Sequence, residues 1–113
     1  MRSVIFELIS FQKAVMKMDI QGHEPYAIVG ASKLLDTVYI PYIFMEWILF
    51  NDKCIYPYNG RNKEILYLHK LIETLIGKGY EPFNPSGLAL EFNMCHTWTY
   101  DVMWKRKDSP MYL

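Results

Sequence analysis

The sequence predicts an α+β fold: three to four helices packed on a small antiparallel sheet whose main strands come from the C-terminal segment 88–104. Three observations carry this expectation. In Leu88 to Trp104 the even positions are Leu88, Leu90, Phe92, Met94, His96, Trp98, Tyr100, Val102 and Trp104, while the odd positions are mostly small or polar. Successive side chains of a strand point to opposite faces, so one face of this run would be large and apolar. Residues 63–76 carry the clearest helical period in the chain. Finally, 51% of the residues are hydrophobic and the mean hydropathy is -0.03, a balance that fits a folded chain and excludes intrinsic disorder.

Taken in order, the chain opens with an expected helix from Ser3 to Met18. Val4, Leu8, Phe11, Val15 and Met18 recur at intervals of four and three, with Glu7, Ser10, Lys13 and Lys17 on the other side. Ser3 would cap it, and Gly22 with Pro25 would end it. Tyr26 to Val29 reads as a short strand, then Gly30-Ala31-Ser32 as a turn into a helix that Ser32 caps. That arrangement resembles a phosphate cradle only faintly, with one glycine and no Gly-Lys-Ser/Thr. Lys33 to Phe50 reads as helical, with Pro41 as a kink or a new first turn. Between Val38 and Phe50 only Pro41 and Glu46 break the run of hydrophobes. A segment apolar all round is buried all round, and Glu46 is the candidate buried acid.

Cys54 to Tyr58 reads as an edge strand, because Pro57 has no N–H for a ladder. Asn59-Gly60 is a turn, and Asn62 caps a helix from Lys63 to Ile76. Its inner face is Ile65, Leu68, Ile72, Leu75 and Ile76, and Gly77 or Gly79 ends it. His69 and Glu73 stand one turn apart and should touch. Tyr80 to Gly87 reads as a stiff loop held by Pro82 and Pro85, presenting Tyr80 and Phe83. Residues 88–104 are too long for one straight strand. They imply a hairpin with an odd loop near Asn93 to His96, or a single bent strand, with a helix as the third option. Residues 1–107 form one domain, and the tail 108–113 frays.

Function is only weakly legible. Twelve basic and twelve acidic residues cancel, so no global field draws nucleic acid or an anionic membrane. The longest apolar run is too short and too interrupted to span a bilayer. Cys54 and Cys95 read as free thiols in a cytoplasmic protein, with no signal peptide evident. No CxxC, HxxxH or HExxH spacing occurs, and Cys95 and His96 would face opposite ways on a strand, so no metal or cofactor is expected. No catalytic constellation is evident, and the chain reads as a non-enzyme.

The aromatic fraction is 16%. With seven Met and nine Tyr, this composition points to a stoichiometric protein-binding module with another protein as partner, in the style of a phage or mobile-element accessory inhibitor of a host factor. Self-association into a homo-oligomer is part of that expectation. Candidate partner-binding residues are Tyr80, Phe83, Trp98, Tyr100, Trp104, Lys105, Arg106 and Lys107. Two alternatives stand beside it. One is a single-stranded nucleic-acid surface that stacks bases on Phe92, Trp98, Tyr100 and Trp104 beside Lys105 to Lys107. The other is a small nucleotide-handling enzyme around Gly30 to Asp36, with Glu46 as base.

Overall fold

The computed structural model describes residues 3–10, 13–19 and 24–109. Among them are five strands: β1 (Ser3–Ser10), β2 (Lys13–Asp19), β3 (Tyr42–Glu46), β4 (Tyr80–Phe83) and β5 (Asp101–Arg106). The helices are α1 (Glu24–Gly30), α2 (Ser32–Thr37) and α3 (Lys63–Gly77), with 3₁₀ segments at Ile48–Phe50 and Phe92–Thr97. The strands form one sheet in the order β1-β2-β3-β5-β4. β2 and β3 run parallel, and the other neighbours are antiparallel. The fold is α+β, as the sequence predicts, with a mixed sheet that draws only partly on the C-terminal segment.

The expected helix Ser3 to Met18 is instead the antiparallel pair β1–β2. Residues Val15 to Met18 of β2 pair with β1 on one side and β3 on the other. Both faces of that stretch carry buried residues, Val15 on one and Met16 and Met18 on the other. Lys17, on the Val15 face, is exposed, so burial on that face is partial, and a stretch this short is open to a helical reading. β3 was hidden in the same way inside the expected helix Lys33 to Phe50, where Tyr42, Ile43 and Met45 are all buried. The inference of burial was sound there; the backbone type was not, because an apolar run this short does not separate strand from helix. A parallel neighbour needs a long crossover, and α1 with α2 supplies it. Tyr26 to Val29 therefore lies in a helix, not a strand.

α3 matches its expectation. Asn62 Oδ1 accepts from the Ile65 N–H at 3.1 Å, His69 Nε2 lies 3.1 Å from Glu73 Oε1, and Leu68, Leu71, Ile72 and Leu75 are buried. The helix ends at a left-handed glycine, Gly79 at φ 89°, whose N–H reaches the Ile76 carbonyl. The expected stiff loop from Tyr80 begins as strand β4. Pro82 is accommodated because β4 is the last strand of the sheet, its outer side meeting only an isolated bridge from Phe83 to Ala89. Cys54 to Tyr58 is irregular chain, not a strand.

The helices cover one face of the sheet. Met16, Met18, Ile43, Met45, Val102 and Trp104 meet Ile28, Leu35, Leu68, Leu71, Ile72 and Leu75 in one buried cluster. The pairs Met16–Ile43, Ile43–Trp104 and Met45–Val102 stand opposite each other in the ladders. The other face carries Val15, Tyr42, Phe44, Met103 and Phe83, among which Phe44 and Met103 are only half-buried. Trp104 thus serves the helix-covered core, which removes it from any surface.

Candidate functional site

Strand direction decides where a site can form. β2, β3 and β4 point the same way, since β4 is antiparallel to β5 and β5 is antiparallel to β3. Their carboxyl ends therefore share one edge of the sheet, and the two longest described connections, residues 47–62 and 84–100, leave from it. In parallel α/β units this is the edge where ligands bind, because no strand continues there and the loops can diverge around a crevice.

Two acidic positions meet along it, and a third ends β2. β2 ends at Asp19, one residue past Met18, whose partner on β3 is Met45. β3 ends at Glu46, one residue past Met45, and Glu46 pairs with Asp101 at the start of β5. Glu46 is half-buried rather than buried, and Asp101 is exposed. The polar stretch Gln21-Gly22-His23 follows β2 but lies outside the described residues. Beside the acids the chain exposes apolar groups: Ile48 and Leu49 on the 3₁₀ turn after β3, and Tyr100 before β5.

Behind this edge stands a rigid aromatic support that sequence reasoning missed. Trp47 is fully buried. Its N–H donates to the Tyr100 carbonyl, and its indole Nε1 donates to the Cys95 carbonyl at 2.9 Å. Its ring lies 4.7 Å from Trp98 and 6.4 Å from Trp104. Trp98 Nε1 donates to the Glu91 carbonyl at 2.9 Å, and Asn51 Nδ2 donates to the carbonyls of His96 and Trp98. The loops are thus tied by donors from buried rings, each removing an orphan carbonyl. A buried tryptophan in an all-apolar run has no distinguishing mark in sequence; only its partners reveal the role.

The cysteines are not free. Cys54 and Cys95 form a disulfide across 41 residues of sequence, and both are buried. This corrects the expectation of separate thiols, which rested on a compartment assignment rather than on geometry. Residues 92–97, where a hairpin loop was expected, form a 3₁₀ segment that carries Cys95 inward.

The disulfide joins the two walls of a surface groove of about 410 Å³, lined by Tyr56, Pro57, Leu90, Glu91, Phe92 and Asn93. Tyr56 packs its ring 4.8 Å from that of His69 and 6.3 Å from Phe92. His69 Nδ1 accepts from the Tyr58 N–H at 3.0 Å while Nε2 faces Glu73. That pattern fits the neutral ring with its proton on Nε2.

The residues singled out by sequence fall in several places. Tyr80 is fully buried, its hydroxyl donating to the Ile40 carbonyl; burial pushes its phenol up to about 12, partly offset by Arg106. Phe83, Trp98 and Trp104 are buried, and so is Lys105, whose ammonium donates to the carbonyls of Arg106 and Ser109. Arg106 is half-buried over the rings of Tyr39 and Tyr80, Lys107 is exposed, and Tyr100 is the one exposed ring of the set. The base-stacking row of Phe92, Trp98, Tyr100 and Trp104 is not a surface: before β5 starts at Asp101 this run makes only an isolated bridge at Ala89, and two of its four rings are in the core.

Gly30 to Asp36 joins two helices rather than a strand and a helix. Gly30 closes α1, Ala31 precedes α2 without a side-chain cap, and Asp36 pairs with Lys78. In the tail expected to fray from Asp108, Ser109 is buried and bonded to the Tyr39 hydroxyl at 2.7 Å, and residues 110–113 lie outside the described residues. Among the described residues no group of three or more His, Cys, Asp or Glu is placed to hold a metal ion. No helix there is long and apolar enough to cross a membrane. No family model matches this chain, and neither a curated protein nor a solved structure does.

Proposed function

We propose that this chain binds a small ligand of nucleoside type at the carboxyl edge of the β2–β3 pair. The observation that carries the reading is the parallel β2–α1–α2–β3 unit, whose two strands end in acidic residues one position past paired partners. Carboxylates at such strand ends accept hydrogen bonds from ribose hydroxyls in nucleotide-binding α/β units. Glu46 and Asp101, paired across this edge, repel a polyphosphate, so a neutral or cationic nucleoside suits the site better than a nucleotide. This keeps the nucleotide-handling alternative but moves it from Gly30–Asp36 to the strand ends at Glu46 and Asp101.

Isothermal titration with adenosine, S-adenosylmethionine, NAD and ATP tests the reading. Binding of an uncharged or cationic member, weakened at least tenfold by Glu46→Ala and absent for ATP, supports it. Silence across the whole panel, or ATP as the tightest ligand, overturns it.

A second reading is supported by the exposed Ile48, Leu49 and Tyr100 at the same edge. Apolar groups gathered at one edge suit a protein partner, another chain or a second copy of this one. Light scattering during size exclusion separates these, with a monomer at all concentrations counting against self-association. As to location, the buried disulfide favours an oxidising compartment over the cytoplasmic one that the composition suggests.

A further inference from the structure

The groove beside the disulfide is built on different chemistry from the acidic strand ends. Leu90, Phe92, Tyr56 and Pro57 make it apolar, and Glu91 and Asn93 supply its polar groups. No Lys or Arg lines it. Glu91 is exposed, its backbone carbonyl is occupied by Trp98 Nε1, and its carboxylate makes no ion pair among the described residues. Aromatic rings attract a cation over their faces, and a carboxylate at the rim of such a groove adds a full negative charge.

The walls are held before any ligand arrives. One wall begins at Cys54 and the other ends at Cys95, so a covalent bond sets their separation. Hydrogen bonds fix each wall further: Tyr58 N–H to His69 on one side, Trp47 and Trp98 indoles to the Cys95 and Glu91 carbonyls on the other. A preformed site gives up little conformational freedom when a ligand binds. From the apolar walls, the single carboxylate and the absence of lining cations, we infer that this groove binds a cation with an apolar ring, of the arylalkyl-ammonium class. The ring lies against Phe92 and Tyr56, and the ammonium faces Glu91.

The test is a matched pair of probes on the full chain: phenethylammonium and 3-phenylpropionate, which share the ring and differ in the sign of charge. Amide resonances of residues 56–58 and 90–94 are followed by NMR during each titration. The expected result is saturable shifts with the ammonium and at least tenfold weaker binding of the carboxylate. Glu91→Gln, at an exposed position, should keep the melting temperature and erase the preference. Equal binding of the two probes, preference for the carboxylate, or no shift with either overturns the inference. The nucleoside panel reads the strand-end site separately, so failure of one site is distinguishable from failure of the other.

Discussion

Breaking the Cys54–Cys95 bond is the most informative perturbation of this fold. The bond closes a loop across 41 residues. The chain-entropy relation for a loop of that length gives roughly 4 kcal/mol at 25 °C, acting by restricting the unfolded chain. A domain of this size is stable by about 5–15 kcal/mol, so the reduced protein should remain folded with a much smaller margin. The melting temperature should fall by roughly 10–20 °C, at about 4 °C per kcal/mol. Urea titration followed by tryptophan fluorescence is the natural assay, because Trp47, Trp98 and Trp104 are all buried. The reduced chain should also show a steeper denaturant slope, since an unlinked unfolded chain exposes more surface. Cys54→Ala with Cys95→Ala should reproduce the effect, with a further loss from the void left by two buried sulfurs. A difference under about 1 kcal/mol between oxidised and reduced protein, against the relation's value, would refute the reasoning. So would two free thiols in the protein purified without reductant.

Other outcomes follow from the buried polar groups. Trp47→Phe should destabilise by about 2–4 kcal/mol, because it removes ring volume and leaves the Cys95 carbonyl unpaired. Trp104→Phe should cost less, since the Trp104 Nε1 is buried without an acceptor and its removal relieves a desolvation penalty; urea melts of both variants check the order. Tyr80, with its phenol raised to about 12, holds its proton more tightly folded than unfolded. Its contribution is therefore complete below pH 10 and disappears as the pH rises toward 12, a loss of about 2–3 kcal/mol. Tyr80→Phe should flatten stability across that window relative to the parent, as measured by denaturation at several alkaline pH values. At Gly79, a Cβ meets nothing within 4 Å but the backbone is at φ +89°. Gly79→Ala should cost roughly 1–2 kcal/mol from conformation alone, visible as a lower melting temperature.

Some of this protein was written locally in its residues. Asn62, the spacing of Leu68, Ile72 and Leu75, and Gly79 specify α3 without help from the rest of the chain, since capping, amphipathic period and a left-handed stop all act within a few residues. The contact between His69 and Glu73 was legible for the same reason, and the α+β class was legible from that helix together with the alternation near the C-terminus, part of which is β5. The candidate site was barely legible. Glu46 stood out as an acid within an apolar run, but nothing in the order of residues placed Asp101 opposite it.

Apart from β5, tertiary structure decided the sheet. Val15 to Met18 and Tyr42 to Met45 are compatible with helix or strand on their own residues, and neighbours on both sides made them strands. The same assembly turned an apparent surface row of rings into core, closed Cys54 onto Cys95, and gathered three strand ends at one edge. Local preferences are worth tenths of a kcal/mol to about 1 kcal/mol per residue, whereas burying a large side chain is worth about 1.5–3 kcal/mol. Where the two disagreed, burial won, and burial is a property of the packed chain rather than of any stretch of sequence.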